Sequence, residues 1–309
     1  MILISGEALI DLIPDPEADD RYDALMGGSP FNVSIGLARL GAPTAFVSRI
    51  SSDENGEKLA RALSDESVDL SLLARDARPT MLAFVTRGTA RTGSRYAFYL
   101  DATTFDGVWP FPAEWPAGAR HLHVGSLAAL EPRHGERVIE ALTRGRQHAT
   151  TSFDPNIRPL VTPDRVSVVS LAERQVALAS LVKASEEDLE WLYPGRSVED
   201  TLDDWAGRGP MFCIATLGGH GAVAYMGAER LSVAAPRIDV VDTVGAGDSF
   251  MSALLSAMDR DGALGRQDGP PSRERLQGWL DFAAKASAIT CTRKGSNPPT
   301  LAEVQAFKD

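Results

Sequence analysis

Asp242-Thr243-Val244-Gly245-Ala246-Gly247-Asp248-Ser249-Phe250 stands between a β-rich segment, Arg230 to Val241, and an apolar run of helical period from Phe250 to Met258. Gly245-Ala246-Gly247 leaves little side chain between the extended segment and the first turn of that helix. The first backbone N–H groups of a helix lack intrahelical partners and carry the positive end of its dipole. Small residues admit an anion to those amides, so the stretch reads as a phosphate-sized anion hole. Asp248 sets a carboxylate beside it, a placement that suits a base taking the proton of a hydroxyl that attacks phosphorus. A tight turn followed by an acid that complements the helix dipole explains the same residues without chemistry.

The chain around this stretch is 309 residues long and 44% hydrophobic, enough for one large α/β domain with a buried core. A net charge of −11 with no basic run argues against nucleic-acid binding. The two cysteines, Cys213 and Cys291, lie in apolar surroundings without metal-type spacing and read as reduced residues of an intracellular protein. The N-terminus lacks a basic region and a cleavage site, and no apolar run reaches membrane-spanning length. A soluble, cytoplasmic protein is expected.

From the N-terminus, Ile2 to Ile4 reads as a strand buried on both faces. After Glu7, Asp11 is a single carboxylate inside the apolar strand that runs to Pro14, and it must find hydrogen-bond donors or face water. Gly27-Gly28-Ser29-Pro30-Phe31-Asn32 opens a helix with Ser29 as N-cap, Pro30 at N1 and Gly41 at C′. A strand, Thr44 to Ile50, and a helix, Asn55 to Ser64, continue the alternation. Met81 to Thr86 and Arg95 to Leu100 flank a polar turn, an antiparallel hairpin inserted into an α/β chain. His121 and His123 share a strand face, and without a third ligand nearby they read as structural. Asp154, Asn156 and Arg158 share a face if the chain stays extended, which Pro155 and Pro159 favour. Arg158 there offers a phosphate-competent fork, or else a surface ion pair. Ser185 followed by acidic residues is a helix start. Gly218-Gly219-His220-Gly221 follows a buried strand and suits either a nucleotide phosphate or an ordinary hairpin turn.

Two of these stretches together resemble the signatures of one family. Asp242-Thr243-x-Gly245-Ala246-Gly247-Asp248 is similar to the C-terminal signature of the ribokinase-like sugar kinases. Gly27-Gly28-x-x-x-Asn32, with Leu37-Ala38-Arg39-Leu40-Gly41, is similar to their N-terminal one, and Asp154-Pro155-Asn156-x-Arg158 resembles the string typical of fructokinases among them. The resemblance covers nearly the whole chain. It implies a single domain over 1–309, a three-layer α/β/α fold with a mostly parallel central sheet, and a small β-sheet lid from about 11–26 and 79–109. It implies ATP-dependent phosphorylation of a primary sugar hydroxyl, D-fructose to fructose 6-phosphate in the first place. Asp248 is then the base, the amides of Gly245, Ala246 and Gly247 form the anion hole, and Arg158 assists. Asp11, Gly28 and Asn32 orient the sugar, with Phe98 or Tyr96 covering its apolar face. Ser185, Thr216, Gly218, Gly221, Gly245 and Gly247 line the nucleotide. Ser185 and Asp188 occupy the place of an Asn-x-x-Glu motif tied to Mg2+, with shorter side chains. Asp242 and Gly295 stand where relatives bind a monovalent cation such as K+. The lid is a dimer contact in relatives, so a homodimer through it is expected.

The same residues bear on other functions. No Gly-x-x-x-x-Gly-Lys-[Ser/Thr] and no Gly-x-Gly-x-x-Gly after the first strand occurs, which counts against a P-loop kinase and a Rossmann dehydrogenase. A non-catalytic sugar-binding protein has no use for Asp248 beside an anion hole. The alternative substrate is 2-keto-3-deoxygluconate, for which Arg87, Arg91 and Arg95 offer cations; another ketose or a nucleoside also stays open.

Overall fold

Short apolar runs that lack polar alternation become strands covered on both faces, and they set the order of this chain. The computed structural model describes residues 1–15, 18, 20–86, 95–161, 164–267 and 269–308, with the backbone alone for 86, 95 and 96. Arg87 and Arg91, and the side chains of Arg95 and Tyr96, lie outside the described residues. The strands are β1 (Ile2–Ser5), β2 (Leu9–Pro14), β3 (Tyr22–Gly27), β4 (Thr44–Val47), β5 (Arg49–Ser51), β6 (Ala74–Asp76), β7 (Leu82–Thr86), β8 (Arg95–Tyr99), β9 (His121–Gly125), β10 (Thr150–Asp154), β11 (Leu181–Ser185), β12 (Phe212–Thr216), β13 (Ala222–Met226) and β14 (Glu229–Val233). The helices are α1 (Ser29–Arg39), α2 (Glu54–Asp65), α3 (Ser126–Leu130), α4 (Pro132–Gly145), α5 (Arg165–Val176), α6 (Glu186–Leu192), α7 (Val198–Ala206), α8 (Ala246–Arg260), α9 (Arg273–Cys291) and α10 (Leu301–Ala306).

The central sheet runs β14-β13-β12-β11-β10-β9-β1-β4. From β12 to β4 all neighbours are parallel, and the β13–β14 hairpin closes one edge antiparallel. One face packs on α1, α8 and α9 through Ile2, Ile4, Leu37, Met251, Leu254 and Leu280. The other packs on α4, α5 and α7 through Leu3, Val124, Phe153, Leu142, Ala172 and Trp205. Each fully buried large apolar side chain contributes on the order of 1.5–3 kcal/mol. The three-layer α/β/α arrangement is the one expected.

A second sheet, β3-β2-β7-β8, stands apart from the first. Its cross-strand row Leu25–Asp11–Ala83–Phe98 shares one face, because directly paired residues point the same way. Beyond β8 the chain returns to the body, where Phe105 and Trp109 are fully buried and Trp109 Nε1 donates to Ser5 Oγ at 2.9 Å.

Three local expectations are corrected. The N-cap of α1 is Gly28, at φ 103°, and no side chain caps the helix. Ser29 lies within the first turn, its hydroxyl turned to another partner. The β-rich segment from Arg230 ends as a strand at Val233, three residues before Pro236, which has no N–H for a ladder. Asp154, Asn156 and Arg158 do not share an extended face: the strand ends at Asp154 and Asn156 turns to φ 40°.

Candidate active site

The carboxyl ends of parallel strands are where open α/β sheets receive ligands, and the expected site residues from the strands end there. Asp154 closes β10, Ser185 closes β11 and Thr216 closes β12, with Ser185 and Thr216 in direct register. The turn Gly218–His220 follows β12. Gly221, at φ 95°, leads into the antiparallel strand β13, so this turn is also a hairpin connection. A Cβ on Gly221 would lie 2.0 Å from the Val233 carbonyl oxygen, so the turn tolerates no side chain there.

Helix α8 brings the decisive group. Gly245 is its N-cap in the left-handed region, φ 78°, and a Cβ there would meet Ser296 Oγ at 2.2 Å. Asp248 is the third helical residue and is buried at 8% exposure. Ser29 Oγ donates to its Oδ1 at 2.6 Å and Asn32 Nδ2 donates to its Oδ2 at 2.8 Å. Two first turns, of α1 and α8, thereby meet at one carboxylate. The helices cross tightly just beyond, where a Cβ on Gly36 would lie 2.4 Å from Ser252 Oγ. Residues 32 and 36, and 248 and 252, are each one helical turn apart on one face, so the close crossing keeps Asn32 opposite Asp248.

The small sheet supplies Asp11. Its carboxylate rests over Gly27, where a Cβ would lie 2.1 Å from Oδ2. Burial pushes Asp11 up to about 6; the Arg158 cation opposes this and the Asp248 charge adds to it. Gly28 combines φ 103° with a would-be Cβ 2.7 Å from the Glu7 carbonyl oxygen, so glycine is required twice over. Phe98 sits on the same face as Asp11, half-buried against the apolar cluster that includes Leu9, Met81 and Leu127.

Asp188 is engaged on both oxygens. Oδ1 accepts from Ile157 N at 2.6 Å, and Oδ2 accepts from Ser185 N at 2.9 Å and Ser185 Oγ at 2.7 Å. The Ser185 hydroxyl in turn caps α6, completing a reciprocal capping box. Asp242 ties Val244 N at 3.1 Å and Gly295 N at 2.8 Å, joining the entrance of α8 to the end of α9. Beside them Ser296 Oγ is buried without a hydrogen-bond partner. Among the described residues no three His, Cys, Asp or Glu side chains converge as a metal cage. His121 and His123 are buried and bonded to Thr150 and Ser152 hydroxyls. Desolvation holds both rings neutral, His123 down to about 3.

Sequence reasoning missed three side chains that are buried at or beside the site. Ser29 bonds Asp248 instead of capping its own helix. Glu7, 1% exposed, accepts from Ala128 N at 3.3 Å, and burial raises its pKa. Lys183 reaches from the middle of β11 to Asp154 Oδ2 at 2.7 Å, with side-chain exposures of 5% and 2%. A lone lysine in the apolar run Leu181-Val182-Lys183-Ala184 was the available signal, the counterpart of Asp11 in its own strand.

The family of pfkB carbohydrate kinases matches residues 1–303. The fructokinase of Rhizobium leguminosarum bv. trifolii is 35% identical over 269 residues, covering 85% of this chain and 81% of its own. The fructokinase of Vibrio cholerae O395, in a fructose-, ADP- and calcium-bound form, superposes with a TM-score of 0.86 at 27% identity over 100% of this chain and 98% of its own. That of Xylella fastidiosa with bound ATP gives 0.87 at 26% identity, over 99% and 97%.

Proposed function

The chain belongs to the pfkB family of carbohydrate kinases, and we propose that it transfers the γ-phosphoryl group of ATP to a primary hydroxyl of D-fructose, giving fructose 6-phosphate. The observation that carries this reading is Asp248, buried at the first turn of a glycine-led helix and held there by Ser29 and Asn32. The fructokinases of Vibrio cholerae and Xylella fastidiosa, with their sugar and nucleotide ligands, support the choice of substrate.

Asp248 accepts the proton of the attacking hydroxyl. Ser29 and Asn32 each donate to one of its oxygens, which fixes the carboxylate in one orientation. The amides of Gly245, Gly247 and Asp248 stabilise charge on the group in flight; the expected Ala246 amide is instead spent on the Thr243 carbonyl oxygen at 3.2 Å. Asp11, Gly28 and Asn32 orient the sugar, and Phe98 covers it from the small sheet acting as a lid. Ser185, Thr216 and Gly218 to Gly221 line the nucleotide, and Arg158 adds a cation near Asp11. Magnesium, when bound with ATP, would supply charge neutralisation on its phosphates. Asp188, with both oxygens already engaged by Ile157 N and Ser185, would act toward it through its charge and not as a direct ligand. The buried, unpartnered Ser296 Oγ beside Asp242 and Gly295 suits a monovalent cation such as K+. The free thiols Cys213 and Cys291 suit the reducing cytoplasm, and among the described residues no helix is long and apolar enough to cross a membrane. A homodimer forms through the outer face of the lid.

ADP release with a panel of fructose, glucose, ribose, 2-keto-3-deoxygluconate and adenosine tests the assignment. Fructose should give the highest kcat/KM, and a tenfold preference for the acid sugar or the nucleoside would overturn it. The assay is run in potassium and in tetramethylammonium salts, where equal rates remove the cation. Asp248→Ala should lower kcat by about 10²–10⁴; a folded variant with parental turnover removes Asp248 from the mechanism.

A further inference from the structure

One buried charge has no part in the chemistry described so far. Lys183 and Asp154 form an ion pair almost wholly out of solvent. Such a pair is a poor device for holding a fold, because desolvating two charges offsets most of their attraction and apolar side chains serve as well. The strand neighbours Phe153 and Val182 are such apolar side chains, fully buried on the opposite face.

The position of the ammonium is informative. Lys183 Nζ lies 3.3 Å from where a Cβ on Gly247 would be, so it sits against the first turn of α8. A helix N-terminus repels a cation, and the arrangement is favourable only with anions close by. Burial works against the Lys183 ammonium, but the Asp154 carboxylate, together with Asp188 and Asp248, raises its pKa above the ordinary lysine value. Asp154 keeps its other oxygen, Oδ1, buried with no hydrogen-bond partner. It serves as a tether with one oxygen to spare.

We propose that Lys183 is a positioning residue of the anion hole: a fixed positive charge behind Gly247, held by Asp154, that adds to the α8 amides in stabilising the phosphoryl group during transfer. The inference rests on the kinase reading above. A charge aimed at the group in flight acts on kcat, and fructose, held from the other side by Asp11 and Asn32, should bind as before.

Parental turnover is measured first, because absence of turnover on every sugar fails the kinase reading itself, whereas failure of this inference appears in the variants alone. Lys183→Met leaves a carboxylate buried without its partner, so the double variant Lys183→Met/Asp154→Asn, with both charges removed at similar volume, is the main test. It should melt within a few degrees of the parent and keep its fructose KM within about twofold, while kcat falls about 10- to 100-fold. Parental kcat in the folded double variant, or a raised KM with unchanged kcat, would overturn the proposal. Asp154→Asn alone keeps the ammonium and only loosens its tether, so most of kcat should remain. A loss as deep as that of Lys183→Met would show that the pair matters to the fold and the charge does not matter to transfer.

Discussion

Asp11 shows how a single residue carries both a cost and a use. Burial lifts its pKa from the ordinary 3.8 to about 6. A carboxyl raised in this way binds its proton more tightly in the folded protein than in the unfolded chain. Its contribution to stability is complete below the unfolded value and is lost as pH rises through about 6. Asp11→Asn should therefore melt above the parent at pH 8, with the gap closing toward pH 5. If Asp11 binds the sugar as proposed, its ionised form accepts the hydroxyls, so the parent's fructose KM should rise as pH falls through about 6, while the Asn variant has a high KM throughout. A parental KM that stays flat between pH 5 and 7.5 would reduce Asp11 to a strand residue.

Among elements, the crossing of α1 and α8 sets how Asn32 meets Asp248, the proposed base. Gly36 admits Ser252 at the crossing, one turn below the Asn32–Asp248 bond. Gly36→Ala should push the helices apart and lower kcat by at least about tenfold, since misplacement on the order of 1 Å is enough for a large loss. Adding Ser252→Gly returns the space and should recover most of the rate, at about 1 kcal/mol of helix stability. If the second change rescues nothing, the crossing does not set the alignment.

The whole molecule joins a sheet buried on both faces to a small one that leaves a face open. Its outer side carries Tyr22 at 48% exposure and Tyr99 at 60%, both edge-on to Phe84 with ring centroids 5.4 Å apart. An exposed aromatic ridge on a sheet face is a surface that a second copy covers well. We expect a dimer at micromolar concentration by sedimentation, and Tyr22→Glu/Tyr99→Glu should shift it to monomer. A parent that sediments as a monomer would remove the lid contact.

By itself the sequence determined what depends on near neighbours. Apolar runs marked the strands of the parallel sheet, and two glycine signatures marked the starts of α1 and α8. The lone acid in an apolar strand marked Asp11. Tertiary structure decided what depends on neighbours in space. Ser29, a good cap by its local pattern, gives its hydroxyl to a carboxylate 219 residues away. Asn156 leaves the extended path that its flanking prolines favour, and Asp188 spends its oxygens on Ser185 and on the backbone of Ile157. The raised pKa of Asp11 and the pairing of Lys183 with Asp154 belong to this second group. Desolvation and hydrogen bonding are set by the atoms that packing brings within a few ångströms, and a linear pattern does not contain those distances.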